Sequence, residues 1–161
     1  MSYTSQLAQH LRQVYFGGNW TCSNLKQQLD GISFQEAMSL TPFSANSIAA
    51  LTCHIHYYIK VQLDVMNNKE LHASDIDSWK IDNLGTPADW ETLLGQMWIE
   101  AKQWADLVEK MNDARLETVF TDTEYGTWQR NLLGLIEHTH YHLGQIALIR
   151  GYQKRASQNS E

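Results

Sequence analysis

The segment that most restricts the fold begins at Thr86-Pro87-Ala88-Asp89. A threonine at the cap, proline at the first helical position and an acid three residues after the cap together open a helix. Behind them, apolar residues recur at Trp90, Leu93, Leu94, Met97, Trp98, Ala101, Trp104, Ala105, Val108 and Met111, and the spacing predicts a helix ending near Asn112. So wide an apolar face must be buried against other elements. No part of the chain alternates with period two for long enough to build a sheet, so those elements are expected to be helices.

Three further long helices are predicted by the same spacing. The first runs from about Thr4 to Phe16 on Leu7, Leu11, Val14 and Tyr15, and Gly17-Gly18 breaks or bends it. A piece over about Thr21 to Leu29, with Cys22, Leu25 and Leu29, is its continuation or a separate helix. Gly31 closes it, and Phe34 to Met38 reads as a short helical turn. The second long helix spans about Ala45 to Met66, with Ile48, Leu51, Cys53, Ile55, Ile59, Leu63 and Met66, and Asn67-Asn68-Lys69 stops it. The last starts near Thr127 and carries Trp128, Leu132, Leu135, Ile136, Ile146, Ile149 and Tyr152. Gly134 and Gly144 lie inside it, at about 1 kcal/mol of helix propensity each against alanine. Glycines so placed allow close helix contact or leave room for a site.

The stretch from 68 to 86 is long, polar and punctuated, and is expected to cross from one end of a bundle to the other with a local structure of its own. The fold expected is therefore all-α: a four-helix bundle with a long crossover connection. One domain over 1–152 and a polar tail over 153–161 account for the chain, which has no internal repeat and no interdomain linker.

The 161 residues suffice for one hydrophobic core. Apolar residues make up 43% and charged residues 19%, an ordinary globular balance slightly poor in charge. The net charge is -6 and no basic patch stands out, which argues against a nucleic-acid partner. No apolar run reaches the length of a membrane span. Met1 to Ser5 lead into no basic and then apolar leader, and Cys22 and Cys53 make neither a CxxC pair nor a disulfide framework, so a cytoplasmic protein with reduced thiols is expected. Trp20, Trp90, Trp98, Trp104 and Trp128 read as core or dimer contacts.

Chemistry concentrates in His138-Thr139-His140-Tyr141-His142. His138 and His142 lie one turn apart on one helix face, the spacing from which two imidazoles grip one ion. His140 is rotated by about 200° from His138 and cannot join them. A third ligand must come from elsewhere. His54 and His56, both in the second long helix, are also about 200° apart, so one of them at most faces that centre. Spacing alone leaves the choice open. His10 reads as an outer contact and His72 as exposed.

Asn46-Ser47-Ile48-Ala49-Ala50-Leu51-Thr52-Cys53-His54-Ile55 resembles the second helix of the DinB-like (DinB/YfiT) superfamily of four-helix-bundle proteins. Ile136-Glu137-His138-Thr139-His140-Tyr141-His142-Leu143-Gly144-Gln145-Ile146 resembles that family's last helix, where two histidines four apart complete a three-histidine site. The stretches Gly17-Gly18-Asn19-Trp20-Thr21 and Tyr125-Gly126 resemble one uncharacterised subgroup. The resemblance implies metal ligands at His54, His138 and His142, a divalent ion (nickel or zinc, with iron, cobalt or manganese as alternatives), and a homodimer. It also implies a small-molecule substrate, in some relatives with a thiol cofactor.

Three neutral imidazoles with an open position resemble a catalytic site more than a closed structural one. Such a site suits hydrolysis or thiol-dependent transfer. The supporting residues expected around it are His10, His56, Tyr58, Glu137, Tyr141 and Gln145, none of which is an evident general base. The alternative is a non-enzymatic, metal-stabilised dimer or interaction protein. Cys53 is expected to be an inert thiol.

Overall fold

The computed structural model describes residues 1–158, which are mostly helical and without strands. Four long helices carry the core: α1 (Tyr3–Phe16), α4 (Ile48–Met66), α6 (Pro87–Glu109) and α7 (Trp128–Gln158). The short helices α2 (Leu25–Leu29) and α3 (Phe34–Met38) lie between α1 and α4, and α5 (Asp75–Ser78) lies between α4 and α6. Two 3-10 turns, Asp113–Glu117 and Thr123–Tyr125, link α6 to α7.

The helix boundaries follow from side chains that satisfy free backbone groups. Ser2 and Ser47 cap α1 and α4 by accepting from Ser5 N and Ala50 N. Thr86 and Asp89 form a reciprocal capping box with Pro87 in the first turn of α6. Asn67 and the left-handed Asn68 (φ 62°) end α4 where the sequence stops it. The first helix does not continue past its glycines. Gly17 takes φ 110°, Cys22 lies exposed at φ 54°, and α2 starts only at Leu25 behind the cap Asn24. The predicted helical piece over Thr21 to Leu29 thus shrinks to its second half, because Asn24 offers the cap that Thr21 does not. Trp90, Trp104 and Trp128 are buried and Trp98 half-buried, but Trp20 is fully exposed and takes no part in the core. At the other end, α7 runs on through the polar residues 153–158; the last three positions of the predicted tail lie outside the described residues.

α1 and α4 each pack against both α6 and α7, so they face each other across a diagonal. Cross-contacts give the directions. Thr4 reaches Asp113 and Phe16 reaches Trp98, so α1 and α6 are antiparallel. His56 meets Glu100 and Gln62 meets Trp104, so α4 and α6 run parallel. His54 meets His138 while Gln62 meets Asn131, so α4 and α7 are antiparallel. Parallel neighbours in sequence need a connection that returns along the bundle, and residues 67–86 supply it. The predicted crossover is present, with α5 as its local structure.

Gln62 ties three of these helices at the core. Its side-chain carbonyl accepts from Trp104 Nε1 at 2.9 Å, and its amide donates to the Asn131 carbonyl at 2.8 Å. Trp104 is wholly buried and has no water to turn to. Gln62→Leu removes both bonds and strands the indole N–H, so it is expected to destabilise the fold by about 1–3 kcal/mol. Urea unfolding of the variant beside wild type measures this.

Candidate metal centre

The wide apolar face of α4 buries both His54 and His56, and the neighbouring helices separate them. His56 turns to α6, where its Nε2 lies 2.7 Å from Glu100 Oε2. His54 turns to α7. Its Nε2 stands 2.9 Å from His138 Nε2, which is 3.1 Å from His142 Nε2. Among the described residues, these three are the group of potential ligands that could hold a metal ion, with one nitrogen from each within 4.8 Å of the others. Of the two rings that helical spacing leaves open, His54 lies at the cluster, while His56 is turned away to Glu100.

The outer nitrogens fix how the rings are protonated. The Ser78 hydroxyl donates to the Asp75 carbonyl, so its oxygen accepts from His54 Nδ1 at 2.7 Å. His142 Nδ1 donates to Gln145 Oε1 at 2.6 Å, and the amide nitrogen of Gln145 faces the Tyr141 hydroxyl. Both histidines therefore carry their proton on Nδ1 and turn the Nε2 lone pair inward, the form that binds metals. His138 Nδ1 is buried without a partner, so its tautomer is set only by what lies at Nε2. The donor set fits a divalent borderline metal: neutral, nitrogen-only and convergent.

Burial pushes the His54 and His138 imidazoles down to about 4, with help from each ring's histidine neighbours, and burial also lowers His142. All three are neutral at pH 7. Burial raises the half-buried Cys53 thiol to about 11, which leaves it protonated and unreactive.

The cluster borders a cavity of about 560 Å³ that is open to solvent on one side. The Tyr58 ring stands edge-on to His54 and His138, at 5.2 and 5.0 Å between centroids, and its hydroxyl faces Asp75 Oδ1 at 3.4 Å. Glu137 and Tyr141 lie on the rim. Tyr141 is 65% exposed and does not plug the opening. The structure thus brings Tyr58, Glu137, Tyr141 and Gln145 to the cluster. It does not bring His56 there, nor His10, which is exposed on α1.

Three site residues are not evident from the sequence: Ser78, Asp75 and Trp79. The Trp79 ring stacks on His54 at 3.7 Å and 13°. All three come from the crossover, where no periodicity assigns a face. The one local signal is Ser74, which caps α5 through Asp77 N and so sets Ser78 one turn on.

The unfolded chain holds its histidines near pH 6.5, above the folded values, so on acidification it takes up protons that the folded state refuses. Stability of the metal-free protein is expected to fall as pH drops from about 6.5 towards 4, within the range set by the depressed His54 and His138. Urea midpoints at pH 7 and pH 5 should differ more in wild type than in His138→Leu, which lacks one such group.

A family model described as the DinB superfamily matches residues 11–146. No curated protein and no solved structure matches the chain.

Proposed function

The chain belongs to the DinB superfamily, a metal-associated group, and from that membership and the trihistidine cluster we propose that it is a metal-dependent enzyme acting on a small substrate. His54, His138 and His142 hold the ion, nickel or zinc first among the divalent metals. The observation that carries the reading is the joint one of three inward Nε2 atoms and an open cavity beside them. When bound, a divalent ion on three neutral imidazoles keeps its full charge and a free position from which it acidifies a water or a thiol.

The chain's own residues divide the remaining work. Ser78 and Gln145 orient His54 and His142. Trp79 covers one face of His54 and excludes water from it. Burial raises Tyr58, so its hydroxyl stays protonated and donates to Asp75 on the cavity wall. Glu137 is the exposed carboxylate on the rim from which a proton can be passed to solvent. Among the described residues no buried carboxylate lines the cavity to activate water, which favours thiol-dependent transfer over hydrolysis, since a thiol ionises far more readily than water.

Elemental analysis of protein purified without a metal-binding tag is expected to show about one equivalent of metal, retained in His56→Ala and lost in His138→Ala. Unchanged occupancy in His138→Ala overturns the ligand assignment. Ser78→Ala keeps all three ligands but removes the acceptor for His54 Nδ1, and is expected to weaken metal binding about 10–100-fold in competition with a chelator.

A second reading, a metal-stabilised dimer, is favoured by one observation. Tyr141, Leu148 and Tyr152 form an exposed stripe on the outer face of α7, beside exposed Leu40 and Phe43, with Phe43 packed edge-on to Tyr152 at 5.3 Å. Leu148→Asp is expected to convert a dimer to monomer in sedimentation velocity while leaving metal content unchanged. A wild type that sediments as a monomer removes this reading.

A further inference from the structure

Among the described residues, Arg130 is the one arginine or lysine lining the cavity that holds the histidines. It sits on α7 two turns before His138, with Gly134 between them, so the three share one helix stripe. At 1.5 Å per residue, about 12 Å of helix separates Arg130 from His138. Gly134 forms the floor of that span. A Cβ there would meet nothing within 4 Å, so the missing side chain leaves open space rather than a close helix contact.

The guanidinium is held in place. Arg130 Nη1 donates to the Tyr125 carbonyl at 2.9 Å. Its stem lies over Gly126, where a Cβ would come within 3.1 Å of Arg130 Cδ, and where the backbone takes φ 74°. Among the described residues no carboxylate pairs with it. The fork has five N–H donors and the carbonyl occupies one, so an edge suited to bidentate contact is free.

From this we infer that Arg130 anchors a carboxylate of the substrate, with Gly134 leaving the channel along which the molecule reaches the histidines. The inference rests on the metal reading above and adds the substrate class: a compact acid carrying its reacting group several bonds from a carboxylate. The cavity's own acids, Asp75 and Glu137, weigh against a dianionic phosphate and leave a singly charged carboxylate as the better match for one guanidinium. Arg130 is a positioning residue in this scheme, as it grips the substrate away from the reacting atoms.

The test uses cobalt-loaded protein and ω-mercaptoalkanoates of increasing chain length, each beside the mercaptoalcohol of equal length. Binding is read from the sulfur-to-cobalt absorption band. Wild type is expected to bind the acids about 10–100-fold tighter than the alcohols, with an optimum at intermediate length. Arg130→Gln is expected to abolish that preference and leave the alcohols unchanged. Gly134→Leu is expected to take up cobalt normally, to fold at least as stably because leucine favours a helix, and to lose both probes. Equal binding of acid and alcohol in wild type, a preference that survives in Arg130→Gln, or mercaptoalkyl phosphates that outbind the acids each overturn the inference. Failure to take up cobalt overturns the metal reading instead. Arg130 is then judged on the metal-free protein by octanoate against octanol, where an Arg130-dependent preference supports it and none overturns it.

Discussion

An imidazole presents a lone pair to a shared point when an acceptor takes the proton on its other nitrogen, as happens at His54 and His142. That condition organises the site. His54 and His142 are neutral and buried, so each has one proton to place. Ser78 and Gln145 take those protons on the outer side, which leaves two lone pairs facing His138 across about 3 Å. Without the two acceptors the rings would be free to flip or to bond each other, and the convergence would carry no donor character. The metal reading rests on this arrangement of protons more than on the mere presence of three histidines.

The topology explains where the acceptors come from. Gln145 lies on the same helix as His142, three residues on, and needs only helical geometry. Ser78 has no such route. It arrives because α4 and α6 are parallel and the chain must return along the bundle between them, passing the outer side of His54. Trp79 arrives by the same path and stacks on that ring. A bundle with α4 and α6 antiparallel would join them by a short loop and leave His54 bare on that side.

The parts legible in the sequence are those with local causes. The start of α6 is written in Thr86, Pro87 and Asp89, and the stop of α4 in Asn67 and Asn68. His138 and His142 are paired by spacing alone. His54 and His56 are not separable that way, because α4 is apolar around most of its circumference and offers no polar face to exclude. The family resemblance selects His54, and in the structure His56 is turned away to Glu100, forty-four residues beyond it, on a different helix. Trp20 illustrates the opposite limit. Its size and apolarity suggest burial, but it lies in a loop of glycine, asparagine and threonine that packs on nothing large. Ser78 and Trp79 are legible only once the crossover path is known, since an irregular segment has no period from which to infer a face.

The two nitrogens of His54 are tied to different parts of the molecule, one to the cluster and one to the crossover. Whatever draws on the Nε2 lone pair makes the Nδ1 hydrogen more acidic and its bond to Ser78 stronger. Conversely, a crossover seated on Ser78 holds the ring in the tautomer that a ligand at Nε2 needs. The residues from 68 to 86 are largely exposed, with Ser78 and Leu84 buried and Leu71, Trp79 and Ile81 packed partly buried against the core. A ligand at Nε2 and the seating of this segment on Ser78 therefore act on the same ring, and if the one favours the other the effect is reciprocal. A single imidazole ring thus stands between a nineteen-residue surface segment and the centre beneath it.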